Sequence, residues 1–165
     1  VSARGLQRFP IPVGHAEENP VTLHAPQAYF SGSLRFFAGP GYAHDWLTGW
    51  TDAASKIWFQ IDVGRAGEYA VELRYACPAA DAGAKIFVTA GDARLEAAVP
   101  AAEAPVIPLA HRDEAGREKY VNRQWGSLPL GRLALPAGRN TMTIQVLACP
   151  SQQVLELKEI VLRRE

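Results

Sequence analysis

The sequence predicts an all-β fold, a two-sheet antiparallel β-sandwich, and three observations point there. Two stretches, Ala66 to Pro78 and Ala137 to Pro150, nearly repeat each other as glycine turn, alternating strand and Cys-Pro stop. Period-two alternation recurs elsewhere, as in Ile57, Phe59, Ile61 and Val63 set against Trp58, Gln60 and Asp62. Gly and Pro punctuate these runs at short intervals, which suits strands joined by turns.

In chain order, Arg8 to Pro20 carries Pro10, Pro12 and Pro20 and reads as an extended arm, so residues 1–20 are taken as a linker and 21–165 as the sandwich. Val21 to Ala25, Ala28 to Phe30 and Leu34 to Phe37 are short strand-like pieces. Gly39 to Thr51 is a loop rich in aromatics. Lys56 to Val63 is a half-buried strand, the segment after Gly67 runs back, and Lys85 to Ala90 and Ala93 to Val99 form a hairpin through Gly91-Asp92. Pro100 to Gly126 is a polar loop longer than ordinary connections. Leu128, Leu130, Leu133 and Leu135 make a strand whose phase shifts at Gly131, as at a bulge. After the second repeat, Val154 to Leu162 changes phase near Lys158 and reads as a bulged last strand, with a short helix as the alternative.

Reversing direction at each connection puts four segments at one end: Gly39 to Thr51, Pro78 to Ala84, Pro100 to Gly126 and Cys149 to Gln153. The other end has only tight turns. A loop-built binding surface therefore belongs at the Cys-Pro end.

Bulk properties exclude several functions. The chain has 165 residues, enough for one domain that buries a core without a metal or disulfide staple. Lys plus Arg equal Asp plus Glu at 17 each, so no basic field exists to draw in nucleic acid or an anionic membrane. No apolar run reaches the roughly 20 residues of a spanning helix. The chain does not begin with Met and reads as a domain of a longer protein. Cys77 and Cys149 fall at the same end, leaving open a bridge or two small buried thiols. The four histidines lack metal-site spacing, and no Gly-x-Ser-x-Gly nucleophile motif occurs. Asp45, Asp52, Asp113 and Glu114 read as solvated loop charges rather than a catalytic pair.

The aromatic residues carry more. Tyr42, Trp46 and Trp50 share one loop, Tyr120 and Trp125 lie in the other, and Asp45, Asn122 and Arg123 accompany them. A sugar offers an apolar C–H face and a rim of hydroxyls, so ring platforms beside carboxylate, amide and guanidinium groups suit it. The same tryptophans could instead plug the top of the core, the reading preferred for Trp50. Arg112, Arg117, Lys119 and Arg123 give the long loop a cationic side suited to a sulfated or uronic sugar, but Asp113, Glu114 and Glu118 offset it, and a solvated mixed-charge loop is the commoner explanation.

At the Ala-Gly-x-Tyr and Ala-Gly-x-Asn-Thr strands and the closing Val154 to Leu162, the chain resembles carbohydrate-binding modules of families 6 and 35, which are jelly rolls. It is similar, more closely, to the accessory domain that follows the catalytic domain of bacterial arylsulfatase-like proteins. The matching segments are Pro10 to His15, Gly41 to Thr51, Tyr75 to Pro78, Tyr120 with Trp125, Leu130 to Leu133 and Val161 to Arg163. The resemblance implies a non-catalytic module attached to an upstream catalytic domain, secreted or periplasmic, that binds a poly- or oligosaccharide. It places Tyr42, Trp46 and Trp125 as the platform and Gln153 near a polar position before the last strand. A structural calcium, common in those families, is not carried over, because Leu23 to Ala28 lacks the acids. The sulfatase nucleophile motif is absent, since Cys77 and Cys149 are each followed by proline. The rival reading is a structural domain that packs on its catalytic neighbour or mediates oligomerisation.

Overall fold

The computed structural model describes residues 9–15, 17–37, 46–107 and 122–165. Its strands are β1 (Ile11–Val13), β2 (Val21–His24), β3 (Tyr29–Phe30), β4 (Arg35–Phe36), β5 (Leu47–Thr48), β6 (Ile57–Val63), β7 (Gly67–Ala76), β8 (Lys85–Ala90), β9 (Ala93–Ala98), β10 (Val106–Ile107), β11 (Asn122–Arg123), β12 (Gly126–Leu135), β13 (Gly138–Ala148) and β14 (Glu156–Arg164). Twelve of them form two sheets, and β10 and β11 make a separate two-stranded ribbon. The first has the order β1-β6-β13-β8-β9 with β3 also on β6; the second has the order β12-β7-β14-β5-β4 with β2 also on β14. All pairs but β1 with β6 are antiparallel, as the expected sandwich requires. The two repeat strands, β7 and β13, fall one in each sheet.

Alternation explains the layering. Ile57, Phe59, Ile61 and Val63 of β6 and Met142 and Ile144 of β13 turn inward, where they meet the buried Tyr69, Val71, Leu73 and Tyr75 of β7 and Ile160 and Leu162 of β14. Each such side chain stabilises the fold by roughly 1.5–3 kcal/mol when fully buried. Both expected phase shifts are present. The β12–β7 register slips between Pro129 and Gly131, with Gly131 at φ +119°, and the β14–β7 register slips between Leu157 and Glu159. The last segment is a bulged strand, not a helix.

The arm needs correction. Ile11–Val13 pairs in parallel with Ile61 to Val63, and Ile11 and Val13 enter the core. Proline density masked a three-residue alternation whose central Pro12 points outward, a place where an edge strand tolerates proline. Gly14 closes this strand at φ +67°, and a Cβ there would collide with the Tyr69 hydroxyl. Further along, the Asn19 amide exchanges two hydrogen bonds with the Arg164 backbone, at 3.0 and 2.8 Å.

Both thiols are free: Cys77 is buried and Cys149 half-buried. The Cys77 thiol lies 3.7 Å from the Val154 carbonyl and the Cys149 thiol 3.6 Å from the Gln153 carbonyl.

Candidate functional site

The four segments assigned to one end do meet there. The Cys77 and Ala102 backbones exchange hydrogen bonds of 2.8 and 2.7 Å, the Ser151 hydroxyl donates to the Asp81 carbonyl at 2.9 Å, and the Val154 amide donates to the Trp50 carbonyl at 3.0 Å. Within the long connection, β10 and β11 form a short ribbon, with Val106 opposite Arg123 and Ile107 opposite Asn122. This ribbon and the Gln124 amide bonded to the Pro105 carbonyl carry Trp125 toward the loop that holds Trp46.

The two rings touch edge to face, 5.2 Å between centroids at 67°. Phe37 stacks on Trp46 at 4.1 Å and 17°. The Arg123 guanidinium lies 5.0 Å from the Trp125 ring centre and 5.8 Å from that of Trp46, within cation–π range. Glu156 joins the parts: one carboxylate oxygen accepts from the Trp46 indole at 3.1 Å and the other from Arg123 Nη1 at 2.7 Å. Arg123 Nε donates to the Ala104 carbonyl at 2.8 Å, and Nη2 lies 3.4 Å from the Glu103 carbonyl. Ala104 reaches this position at φ +43°, a left-handed conformation that costs a non-glycine residue about 1–2 kcal/mol.

Glu156 lies between Leu155 and Leu157, which face the core, so its side chain leaves on the opposite face of the second sheet. Trp46 is correspondingly outside the main apolar core. The cluster is thus a small second core laid by loops over the outer face of that sheet at its loop end. This corrects one expectation: Trp46 is 1% exposed and offers no open face, because Phe37, Trp125 and Arg123 cover it. Trp50 is the expected plug, wholly buried in the main core.

Of the other residues singled out, Trp125 and Gln153 are half-buried, Asn122 is exposed and caps the Arg123 amide at 2.9 Å, and Arg123 is 15% exposed. Tyr42, Asp45 and Tyr120 lie outside the described residues, as do Arg112, Arg117 and Lys119. Sequence reasoning weighed Glu156 only as weak support for a calcium site and did not place it, or Phe37, in this cluster. A carboxylate between two core leucines at the mouth of the last strand was the available signal for Glu156; nothing marked Phe37.

Glu156 already accepts from two donors, and the Cys77 thiol is pushed up to about 11, by burial first and then by Asp81, Cys149 and Glu103, so it stays protonated at neutral pH and is no nucleophile. Burial, then the neighbouring Cys77, raises Tyr75 too. Among the described residues no group of three or more His, Cys, Asp and Glu side chains could hold a metal ion. No helix among them is long and apolar enough to cross a membrane.

No protein-family model and no curated protein matches the sequence. Solved structures do match. The GH26-CBM35 β-(1,4)-mannanase of Podospora anserina is 21% identical, with a TM-score of 0.61 over 89% of this chain and 28% of that one. A family 35 carbohydrate-binding module from Clostridium thermocellum is 14% identical, with a TM-score of 0.55 over 90% of this chain and 100% of that one. CBM35 from Paenibacillus barcinonensis is 17% identical, with a TM-score of 0.57 over 88% of this chain and 99% of that one. The chain thus spans about a quarter of the mannanase but the whole of each isolated module. These likenesses establish the jelly-roll fold, and none of the three structures is a sulfatase.

Proposed function

We propose that this chain is a non-catalytic carbohydrate-binding module whose ligand meets the loop end at Trp125. The observation that carries this is the cluster itself: ring, guanidinium, carboxylate and amide groups from separate loops gather at one end of a fold shared with whole carbohydrate-binding modules. Trp125 is half-buried, with Asn122 three residues before it on the chain, and Trp46 and Arg123 hold its ring. Stacking a sugar face on such a ring and bonding its hydroxyls to neighbouring amides is the chemistry these groups support. Tyr42, Asp45, Tyr120 and Gln153 complete the proposed surface.

In the parent protein the module holds a polysaccharide-acting enzyme near its substrate, outside the cytoplasm. The mannanase match supports a glycoside hydrolase as that neighbour; a sulfatase-like neighbour rests on the sequence resemblance alone. Val106 and Ile107, 54% and 40% exposed beside the ribbon, favour a second reading, in which this end packs on that neighbour.

Titration of the chain with a panel of neutral, uronic and sulfated oligosaccharides tests the proposal. Trp125→Ala is expected to weaken binding of the neutral oligosaccharides at least about tenfold, compared well below a melting transition that loss of the ring against Trp46 lowers modestly. A panel that fails to bind at all overturns it.

A further inference from the structure

The outer face of the second sheet carries a hollow of about 270 Å³ that the loop-end cluster does not use. Its origin is readable strand by strand. The Gly131 bulge interrupts the outward row of β12 after Pro129, and Ala70 and Val161 on the neighbouring strands are small, so the floor is low. Arg132 and Arg163 both pair with Ala70, from opposite sides. Two arginines therefore straddle an alanine on adjacent strands, with backbones about 10 Å apart across two strand spacings.

The charges around the hollow are unequally matched. Arg132 meets Glu165 at 2.7 Å, both well exposed. Glu72 and Arg74 approach to 2.8 Å, although the buried Glu72 oxygen has no aligned hydrogen bond. Arg163 is exposed and has no ion pair among the described residues. Of the three guanidinium groups at the hollow, those of Arg132 and Arg74 face carboxylates and that of Arg163 does not, over an apolar floor of Ala70, Pro129 and Val161. An oxyanion seated between the two flanking arginines would relieve their repulsion and take forked hydrogen bonds from both.

The hollow also shares its face with the loop-end cluster. Glu156 pairs with Ala76, and Ala70 is six residues further down β7, about 20 Å along the strand. A chain-like ligand resting at Trp125 can run along this face to Arg163.

We infer that the hollow between Arg132 and Arg163 is a second subsite, one that takes the carboxylate or sulfate of an acidic oligosaccharide. Its saccharide character rests on the function proposed above; its preference for an anion rests on the arginines alone. The test is calorimetric titration of the chain with a tetragalacturonide, a heparin-derived sulfated tetrasaccharide and neutral mannotetraose. At least one acidic probe is expected to bind, and which one identifies the anion. Arg163→Ala should weaken that binding roughly tenfold or more, and so should Ala70→Leu, which keeps every charge but fills the hollow. Trp125→Ala should leave a substantial part of it. Cooperative melting above the titration temperature establishes that the variants fold. The subsite is overturned if neither acidic probe binds, or if binding survives Arg163→Ala or Ala70→Leu. Acidic binding lost only in Trp125→Ala removes the subsite and leaves the loop-end function standing; a chain that binds none of the three probes removes both.

Discussion

The two ends of the sandwich differ in how their connections are closed. At the turn end the turns carry bonds of their own, the Tyr69 hydroxyl donating to the Arg65 carbonyl four residues back and the Asn140 amide to the carbonyls of Pro136 and Gly138, beside a long-range clamp between Asn19 and Arg164. At the loop end Glu156 reaches Trp46 across 110 residues and Arg123 across 33, and Ser151 reaches Asp81 across 70. A local contact adds little to the ordering cost of a turn the strands already enforce. A distant one forms only once the sandwich has brought its partners together, so the loop end depends on the whole fold.

The largest test of that contrast is Glu156→Ala. It leaves a mostly buried guanidinium and an indole N–H without their acceptor, and should cost about 3 kcal/mol in urea unfolding. A cost below about 1 kcal/mol would mean that ring packing and the bonds between the loop backbones hold this end without Glu156.

The next concerns alkaline pH. In the unfolded chain the Cys77 thiol titrates near 8.5–9, whereas folded it is pushed up to about 11. Between these values the unfolded state has lost a proton that the folded state keeps. The stability from keeping the thiol neutral is therefore complete below about pH 8.5 and is lost as pH rises toward 11, by roughly 2–3 kcal/mol. Tyr75 shifts in the same direction and steepens the upper part of the fall. Urea unfolding across pH 8–11 should show the decline, and Cys77→Ala should flatten it.

At the turn end Asn140→Ala should cost only about 1 kcal/mol, because water reaches the freed carbonyls. Smallest of all is the expected coupling: Glu156→Ala and Asn140→Ala together should add to within about 0.5 kcal/mol, as distant sites without shared partners do. A larger coupling would show that the two ends are not independent.

The same division governs how much could be read beforehand. The strands β6, β7, β8, β9, β12 and β13, the Gly131 bulge and the phase change near Lys158 were legible, because each follows from period two and a local interruption. The convergence of Trp46 and Trp125 was legible from strand direction. The inclusion of Ile11–Val13 in the first sheet was not, since three residues are too few for alternation to outweigh a proline-rich setting. The burial of Trp46 was hidden for another reason. It depends on Phe37 and Arg123 folding over it, and on a carboxylate whose outward direction is set by the phase of β14.

By itself the sequence determined the sandwich, the directions of its main strands and the end at which its loops collect, because side-chain alternation and turn chemistry act over a few residues. Only the tertiary structure decided that Trp46 is an internal support while Trp125 stays partly at the surface, that Arg123 is engaged by Glu156, and that Arg132 and Arg163 flank a hollow at Ala70. Those outcomes depend on which strands become neighbours and in what register, and that is settled by burial of the core as a whole.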